Sequence, residues 1–77
     1  MMKAVKIVWM DSAGVTNRWE FIEDMDSLPP SEITSVGFLL EDAPDYKTIV
    51  QSASMQQMLG RMTIPAGCIK SVTVLAE

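Results

Sequence analysis

Hydrophobic residues in this chain recur at every second position in several short runs, which is the spacing of β-strands. In residues 3–11, Val5, Ile7 and Trp9 fall on one face. The alternate positions of the same run are also largely apolar, so we expect both faces of this strand to be covered. The pattern predicts four further strands, over residues 32–41, 46–53, 58–64 and 68–75.

The longest connection, residues 15–30, predicts a short helical segment. Trp19, Ile22 and Met25 recur at a spacing of three, as on one face of a helical turn. Asn17 could cap this turn, with Glu20 three residues later as in a capping box. The Pro29-Pro30 pair ends the segment, because proline cannot continue a helix.

Glycine and proline mark two further features of the backbone. Pro65 and Gly67 join the last two runs in a step too short for a crossover helix, and we expect one tight helical turn there. Gly67 can adopt the positive φ that turns the chain into the last strand. Gly37, inside residues 32–41, predicts a bulge or the close approach of another backbone.

This order of elements predicts a mainly β fold, a small five-stranded SH3-like barrel with one short helical segment in the long first loop. A strand, a long loop, three meandering strands, a tight turn and a last strand follow one another in a single domain over residues 1–77. One alternative stays open. Residues 53–61 contain good helix formers, and Gly60 could lie just past the end of a helix.

Composition indicates a marginal core that self-association would stabilise. The chain has 77 residues, 48% of them hydrophobic, with one cysteine and no histidine. A disulfide within the chain is therefore excluded, and a zinc site is disfavoured. Because so short a chain buries a thin core, we expect part of the apolar surface to be covered in a homo-oligomer.

Charge narrows the classes of partner. Ten acidic and six basic residues give a net charge of −4, which is poorly suited to general binding of nucleic acids. No apolar run approaches the roughly 18 residues of a membrane span, and the N-terminus lacks the features of a signal peptide. We therefore expect no membrane association and a cytoplasmic location.

Candidates for catalysis and metal binding are weak. Without histidine, the usual general base at neutral pH is missing. Cys68 follows Gly67 in an apolar run with no base beside it, which favours a buried structural thiol over a nucleophile. The carboxylates Glu20, Glu23, Asp24 and Asp26 do not match a calcium loop, and a solvated face or an acidic docking patch explains them better. We predict no enzyme, no metal and no cofactor.

The candidate binding residues cluster in the long loop and at its mouth. Trp9 and Trp19 are favoured as core residues, although each could stack on a ligand or anchor a partner. Trp19 stands beside Arg18, where stacking together with a cation is available. Asp11 and Ser12 offer acceptors and a hydroxyl, or they only end the strand. We predict a binding site from Asp11, Ser12, Arg18 and Trp19, with Lys47 and Arg61 as weaker anion-binding candidates.

The chain resembles a group of small phage and prophage proteins. The resemblance rests, in chain order, on Val8-Trp9-Met10-Asp11-Ser12, Trp19, Thr34-Ser35-Val36-Gly37-Phe38-Leu39, Ile64-Pro65 and Ile69. The group often has tryptophan where this chain has Phe38, a departure that leaves the strand prediction intact. The resemblance implies a phage accessory protein acting in the cytoplasm of an infected bacterium, and it supplies no catalytic residues.

Two functional hypotheses follow. In the first, a non-enzymatic binding module inhibits a host function such as anti-phage defence, by blocking a host protein or sequestering a small nucleotide signal. The inhibitory role is inferred by analogy with small phage proteins that have no catalytic residues and act by binding. In the second, the chain is a structural or assembly protein of the virion, and its apolar residues form permanent interfaces.

Overall fold

The structure is a computed structural model that describes residues 2–14 and 17–77. Val15 and Thr16, the first two residues of the predicted long connection, lie outside the described residues. The strands are β1 (Ala4–Asp11), β2 (Ser31–Asp42), β3 (Tyr46–Val50), β4 (Ser52–Ala53), β5 (Met58–Leu59), β6 (Met62–Pro65) and β7 (Ile69–Ala76). Single 3₁₀ turns occupy Ile22–Asp24 and Ala66–Cys68.

Five strands form one antiparallel sheet in the order β6-β3-β2-β1-β7, and β4 pairs separately with β5. The mainly β prediction is therefore confirmed. The sheet is open, since its edge strands β6 and β7 are not paired with each other, so the predicted barrel is not closed. The central pair, β1 with β2, runs without a break in register from Ala4 opposite Phe38 to Asp11 opposite Ser31.

The main core cluster lies on one face of the sheet. Val5 and Ile7 of β1 pack with Ile49 of β3 and Ile64 of β6, and all four are buried. The partly buried Trp9, Leu39, Met62, Cys68 and Ile69 pack around them. Cys68 is thus half-buried against the core, the environment expected of a structural thiol.

Glycines explain two local features of the sheet. A Cβ at Gly37 would lie 3.0 Å from the Val50 carbonyl oxygen and 3.3 Å from Ile49 Cβ, so the predicted close approach of backbone is confirmed. The prediction of a positive φ at Gly67 is wrong. Among the described residues only Gly60 has one, at 79°, directly after β5.

The alternative helix over residues 53–61 does not form. The Ser54 hydroxyl oxygen accepts hydrogen bonds from the backbone N–H groups of Gln56 (3.3 Å) and Gln57 (3.0 Å). The Ser54 N–H donates in turn to the Gln57 carbonyl at 2.8 Å. These bonds close a tight turn between β4 and β5, because a serine side chain competes with helical hydrogen bonding.

The long connection has less regular structure than its spacing predicts. The 3₁₀ turn in its described part begins after Phe21, which makes no side-chain capping bond, so Asn17 is not the cap. Two backbone bonds hold the turn, from Asp24 N–H to the Phe21 carbonyl (3.0 Å) and from Met25 N–H to the Ile22 carbonyl (3.3 Å). No helix in the described part of the chain is long and apolar enough to cross a membrane.

Candidate functional site

The described part of the long connection, residues 17–30, is exposed throughout, and we call it the arm. Its large apolar side chains face solvent: Trp19 is 101% exposed, and Phe21, Ile22, Met25 and Leu28 are each more than 60% exposed. Trp19 was favoured as a core residue, and that prediction is wrong. The spacing of three predicted an apolar face, but no element of the described chain covers that face.

Trp9 behaves differently from Trp19. It lies on the core face of β1, half-buried against the core cluster. Its indole Nε1 donates a hydrogen bond of 3.0 Å to the Ser35 hydroxyl oxygen on β2. Trp9 is therefore part of the scaffold, and Trp19 is the tryptophan available to a partner.

Asp11 and Ser12 stand where the chain leaves β1 toward the arm. The Ser12 backbone N–H donates to Asp11 Oδ1 at 2.9 Å, a local bond that ends the strand. Both residues are exposed, as is Arg18. Asp11 and Ser12 therefore lie at the end of β1 where Asp11 pairs with Ser31, whereas Arg18 and Trp19 lie further along the chain in the exposed arm.

Lys47 and Arg61 lie at the other end of β2. Lys47 pairs with Asp42, and its ammonium makes an ion pair with the Asp42 carboxylate. The distance along β2 from Ser31 to Asp42 is up to about 36 Å, at about 3.3 Å per residue. The six predicted residues therefore do not form one site within a single chain.

Lys47 and Arg61 also face opposite sides of the sheet. Lys47 pairs with the buried Ile64 and so points toward the core side, whereas Arg61 lines a groove on the outer side. Successive side chains of a strand point to opposite faces of the sheet. The side chain of Lys47 therefore points away from the face of its neighbours Tyr46 and Thr48, which line the same groove as Arg61. Lys47 and Arg61 of one chain therefore cannot both bind the same anion.

This outer groove has a volume of about 510 Å³ and is open to solvent. Its walls come from β2, β3 and the start of β6, through Leu40, Glu41, Tyr46, Thr48, Arg61 and Thr63. The Thr48 and Thr63 hydroxyl oxygens lie 2.8 Å apart in a hydrogen bond across the strands. Sequence reasoning found only Arg61 of this set, because the others come together through strand register.

Glu41 controls the ionisation of Tyr46 in the groove. Its negative charge, and secondly a side-chain hydrogen bond to it, raise the pKa of Tyr46 above the ordinary value of 10.0. At neutral pH the phenol is protonated with or without this rise, so it can act as a hydrogen-bond donor. Glu41 gives the groove one negative charge and Arg61 gives it one positive charge. Because these charges oppose each other, the groove is a weak site for an anion.

Within residues 2–14 and 17–77, no group of three or more cysteine or carboxylate side chains is placed to hold a metal ion. The four carboxylates of the arm are thus spread along an exposed segment. Glu20 has an interaction of its own within the chain. The arm can offer apolar and acidic groups to a partner, and the groove can offer hydroxyls and one guanidinium.

No family model, no curated protein and no solved structure matches this chain.

Proposed function

We propose that this protein is a non-enzymatic binding module, a phage accessory protein that acts inside an infected bacterium. In this proposal it inhibits a host function such as anti-phage defence by occupying a surface of a host protein. The observation that carries the proposal is the exposure of Trp19 and Phe21, whose side chains are 101% and 75% exposed in the described structure. The phage-protein resemblance supplies the biological setting.

The apolar side chains of the arm support a protein target. Large aromatic residues dominate binding energy when they fill a partner's pocket, and few soluble proteins expose a fully solvated tryptophan beside other large apolar side chains. Trp19, Phe21 and Ile22 lie within four residues, so one pocket or cleft could receive all three.

The negative charge of the arm favours a target whose apolar pocket is surrounded by basic residues. Residues 17–30 contain four carboxylates and one cation, Arg18, for a net charge of −3. Such a segment repels a free nucleotide, whose phosphates are also negative, and is attracted to lysine and arginine side chains around an apolar pocket. A protein target is therefore favoured over a small nucleotide signal at the arm.

A nucleotide could instead use the groove, where Arg61 and the Thr63 hydroxyl are available. Nucleotide binding in the groove is the second form of the proposal. It is less favoured than protein binding by the arm, because the groove contains one cation and the nearby Glu41 carboxylate repels an anion. The two forms use opposite ends of β2 and can be separated by mutation.

We further propose that the open sheet is of the SH3-like barrel class. The strand order β6-β3-β2-β1-β7, the long connection between β1 and β2, and the 3₁₀ turn Ala66–Cys68 before β7 support this assignment. In such a scaffold a long first connection beside the strands is a natural binding element, since loops can vary without changing the sheet.

The test is affinity capture from phage-infected and uninfected bacteria, with small molecules and proteins both analysed. Three baits are compared: the natural chain, Trp19→Ala, and the matched control Met55→Ala. Met55 is 99% exposed in the turn between β4 and β5, so this control also removes a fully solvated large side chain. The proposal expects one host protein enriched by the natural chain and by Met55→Ala, and lost with Trp19→Ala.

Calorimetry with that purified host protein then measures the arm directly. Trp19→Ala should weaken binding by about 30-fold or more, as for a buried aromatic anchor of about 2 kcal/mol. Equal affinity of Trp19→Ala and the natural chain would contradict the arm proposal. Thermal stabilisation by a cyclic or linear nucleotide, abolished by Arg61→Ala and kept by Trp19→Ala, would favour the groove form.

The exposed apolar side chains also support the second candidate, a virion structural or assembly protein with permanent interfaces. Mass spectrometry of purified particles separates the two candidates. Stoichiometric presence in the particle favours the virion protein, whereas absence from the particle together with a captured host protein favours the binding module.

A further inference from the structure

The two edge strands of the sheet differ in how well they are protected from other strands. An edge strand presents unpaired N–H and C=O groups and can pair with another chain unless it is short or carries lysine or proline. β6 has four residues and ends at Pro65, so it is a protected edge. β7 has eight residues and no proline, and its lysine, Lys70, makes an ion pair of 2.7 Å with Glu32.

We propose that β7 is the contact surface between two copies of this chain, which pair antiparallel through their β7 edges. This inference goes beyond the binding function of the arm. It assigns the partner of β7 as a second copy and extends each five-stranded sheet into a continuous ten-stranded one.

The middle of β7 is regular and carries exposed valines. Its register with β1 shifts at both ends but is continuous from Ser71 opposite Val8 to Val74 opposite Val5. Val72 and Val74 lie on the core face, since they oppose the buried Ile7 and Val5. Yet they remain 38% and 50% exposed, because no strand within residues 2–14 and 17–77 lies beyond β7.

The accessible surface fits the burial that a dimer requires. The chain exposes 6347 Å², whereas a compact monomer of 8.5 kDa exposes about 4,650 Å² by the usual scaling with mass. The excess is about 1,700 Å², and a specific interface buries about 800 Å² on each partner. One interface of ordinary size, together with the solvated arm, accounts for the excess.

Symmetry restricts the register of the pair. A two-fold axis normal to the sheet keeps each face on its own side, so the residue on the axis lies opposite its own counterpart. With Thr73 on the axis, Val72 of one copy opposes Val74 of the other on the core face. The apolar row formed by Val5, Ile7 and the valines of β7 then continues across the axis, which is why we choose Thr73.

Light scattering during size-exclusion chromatography tests the contact. The natural chain at about 100 µM should have twice the 8.5 kDa mass of one chain. Val74→Lys places an inward-pointing charge on the edge, a device that natural proteins use to block strand pairing, and should raise the dimer dissociation constant at least ten-fold. Val36→Lys is the matched control, because Val36 is 60% exposed on the central strand β2 and should leave the dimer intact.

A cysteine pair tests the register even if Val74→Lys fails to fold. In a Cys68→Ser background, Thr73→Cys should form an intermolecular disulfide on mild oxidation, because opposed residues lie about 4.5–5.5 Å apart between Cα atoms. Ser71→Cys should not, since its counterpart would be four residues away along the strands, about 13 Å.

Three results would overturn the proposal. The first is a natural chain with the mass of one protomer at about 100 µM. The second is equal cross-linking of Ser71→Cys and Thr73→Cys. The third is a folded Val74→Lys variant that dimerises like the natural chain. None of these bears on capture of a host protein by the arm, so the two proposals fail separately.

Discussion

The Trp9 indole and the Ser35 hydroxyl are joined by a 3.0 Å hydrogen bond between β1 and β2. Neither residue directly opposes the other in the register, since Trp9 pairs with Ile33 and Ser35 pairs with Ile7. The bond is therefore diagonal, and it satisfies the only polar atom of a tryptophan packed against the core. It links the edge of the core to the two strands from which the arm departs.

Ser35→Ala should destabilise the fold by about 1 kcal/mol, because the half-buried indole N–H loses its acceptor. Trp9→Phe should cost more, since it also removes packing, but Ser35→Ala should add little in that background. Urea denaturation of the four-member mutant cycle measures this coupling. Ser52→Ala, at an exposed serine of β4, is the control and should change stability by less than about 0.5 kcal/mol. Additive effects of the two substitutions would show that the bond contributes nothing.

Gly37→Ala should destabilise the chain by about 1–3 kcal/mol, the usual cost of overpacking. The added Cβ would lie 3.0 Å from the Val50 carbonyl oxygen, a backbone atom that cannot rotate away. In a chain of this size the melting temperature should fall by about 4–8 °C for each kcal/mol.

Gly67→Ala is the matched control for Gly37→Ala. No atom lies within 4 Å of a Cβ built at Gly67, and its φ is not in the left-handed region. The control should leave the melting temperature unchanged or slightly raised, because alanine reduces the freedom of the unfolded chain. A similar loss of stability in both variants would contradict the close approach at Gly37.

Strand alternation predicted where the main strands lie, but not that the predicted strands over residues 46–53 and 58–64 are each divided, with β4 and β5 in a separate pair. The predicted strand over residues 32–41 is found as Ser31–Asp42, because a half-buried strand must place its apolar residues at a spacing of two. The proline and glycine step near residue 65 also predicted its tight turn, which is observed as Ala66–Cys68. Both features are determined by local backbone chemistry.

The candidate site was harder to predict, because it depends on contacts between distant residues. Trp19 has the spacing of a buried helical face, and the sequence does not reveal that its side chain is fully exposed among the described residues. Lys47 and Arg61 are both cations, but their opposite directions follow from the pairing of Lys47 with Ile64. The groove likewise requires the register of β3 with β6 before Thr48 and Thr63 can be seen to meet.

Glu41→Gln should lower the pKa of Tyr46 toward its ordinary value of about 10. The Glu41 charge is the largest cause of the rise, and glutamine removes that charge while keeping an acceptor. Tyr46 is the one tyrosine of the chain, so the absorbance of its phenolate can be titrated without interference from another tyrosine. Glu32→Gln, at the opposite end of β2, should leave the titration unchanged.

The raised pKa of Tyr46 has a defined consequence for stability. The folded pKa lies above the unfolded value of about 10, so the stabilising effect is fully present below pH 10. It is lost as the pH rises through the folded pKa. Between neutral pH and about pH 9, Glu41→Gln should therefore show the same pH dependence of stability as the natural chain, with a difference developing only above that range.

Removing the exposed partner of the Thr48–Thr63 pair should cost more than removing the buried one. Thr48 is only 4% exposed, and its hydroxyl lies 2.8 Å from that of Thr63, which is exposed. Thr63→Val leaves the Thr48 hydroxyl without this partner and away from water, a cost of about 1–3 kcal/mol. Thr48→Val removes the buried hydroxyl itself, and the Thr63 hydroxyl can then bond to solvent, so stability should change by less than about 1 kcal/mol.

Both replacements keep a β-branched side chain, so urea denaturation of the two variants compares hydrogen bonding at nearly constant shape. A larger loss for Thr48→Val than for Thr63→Val would contradict this account of the groove.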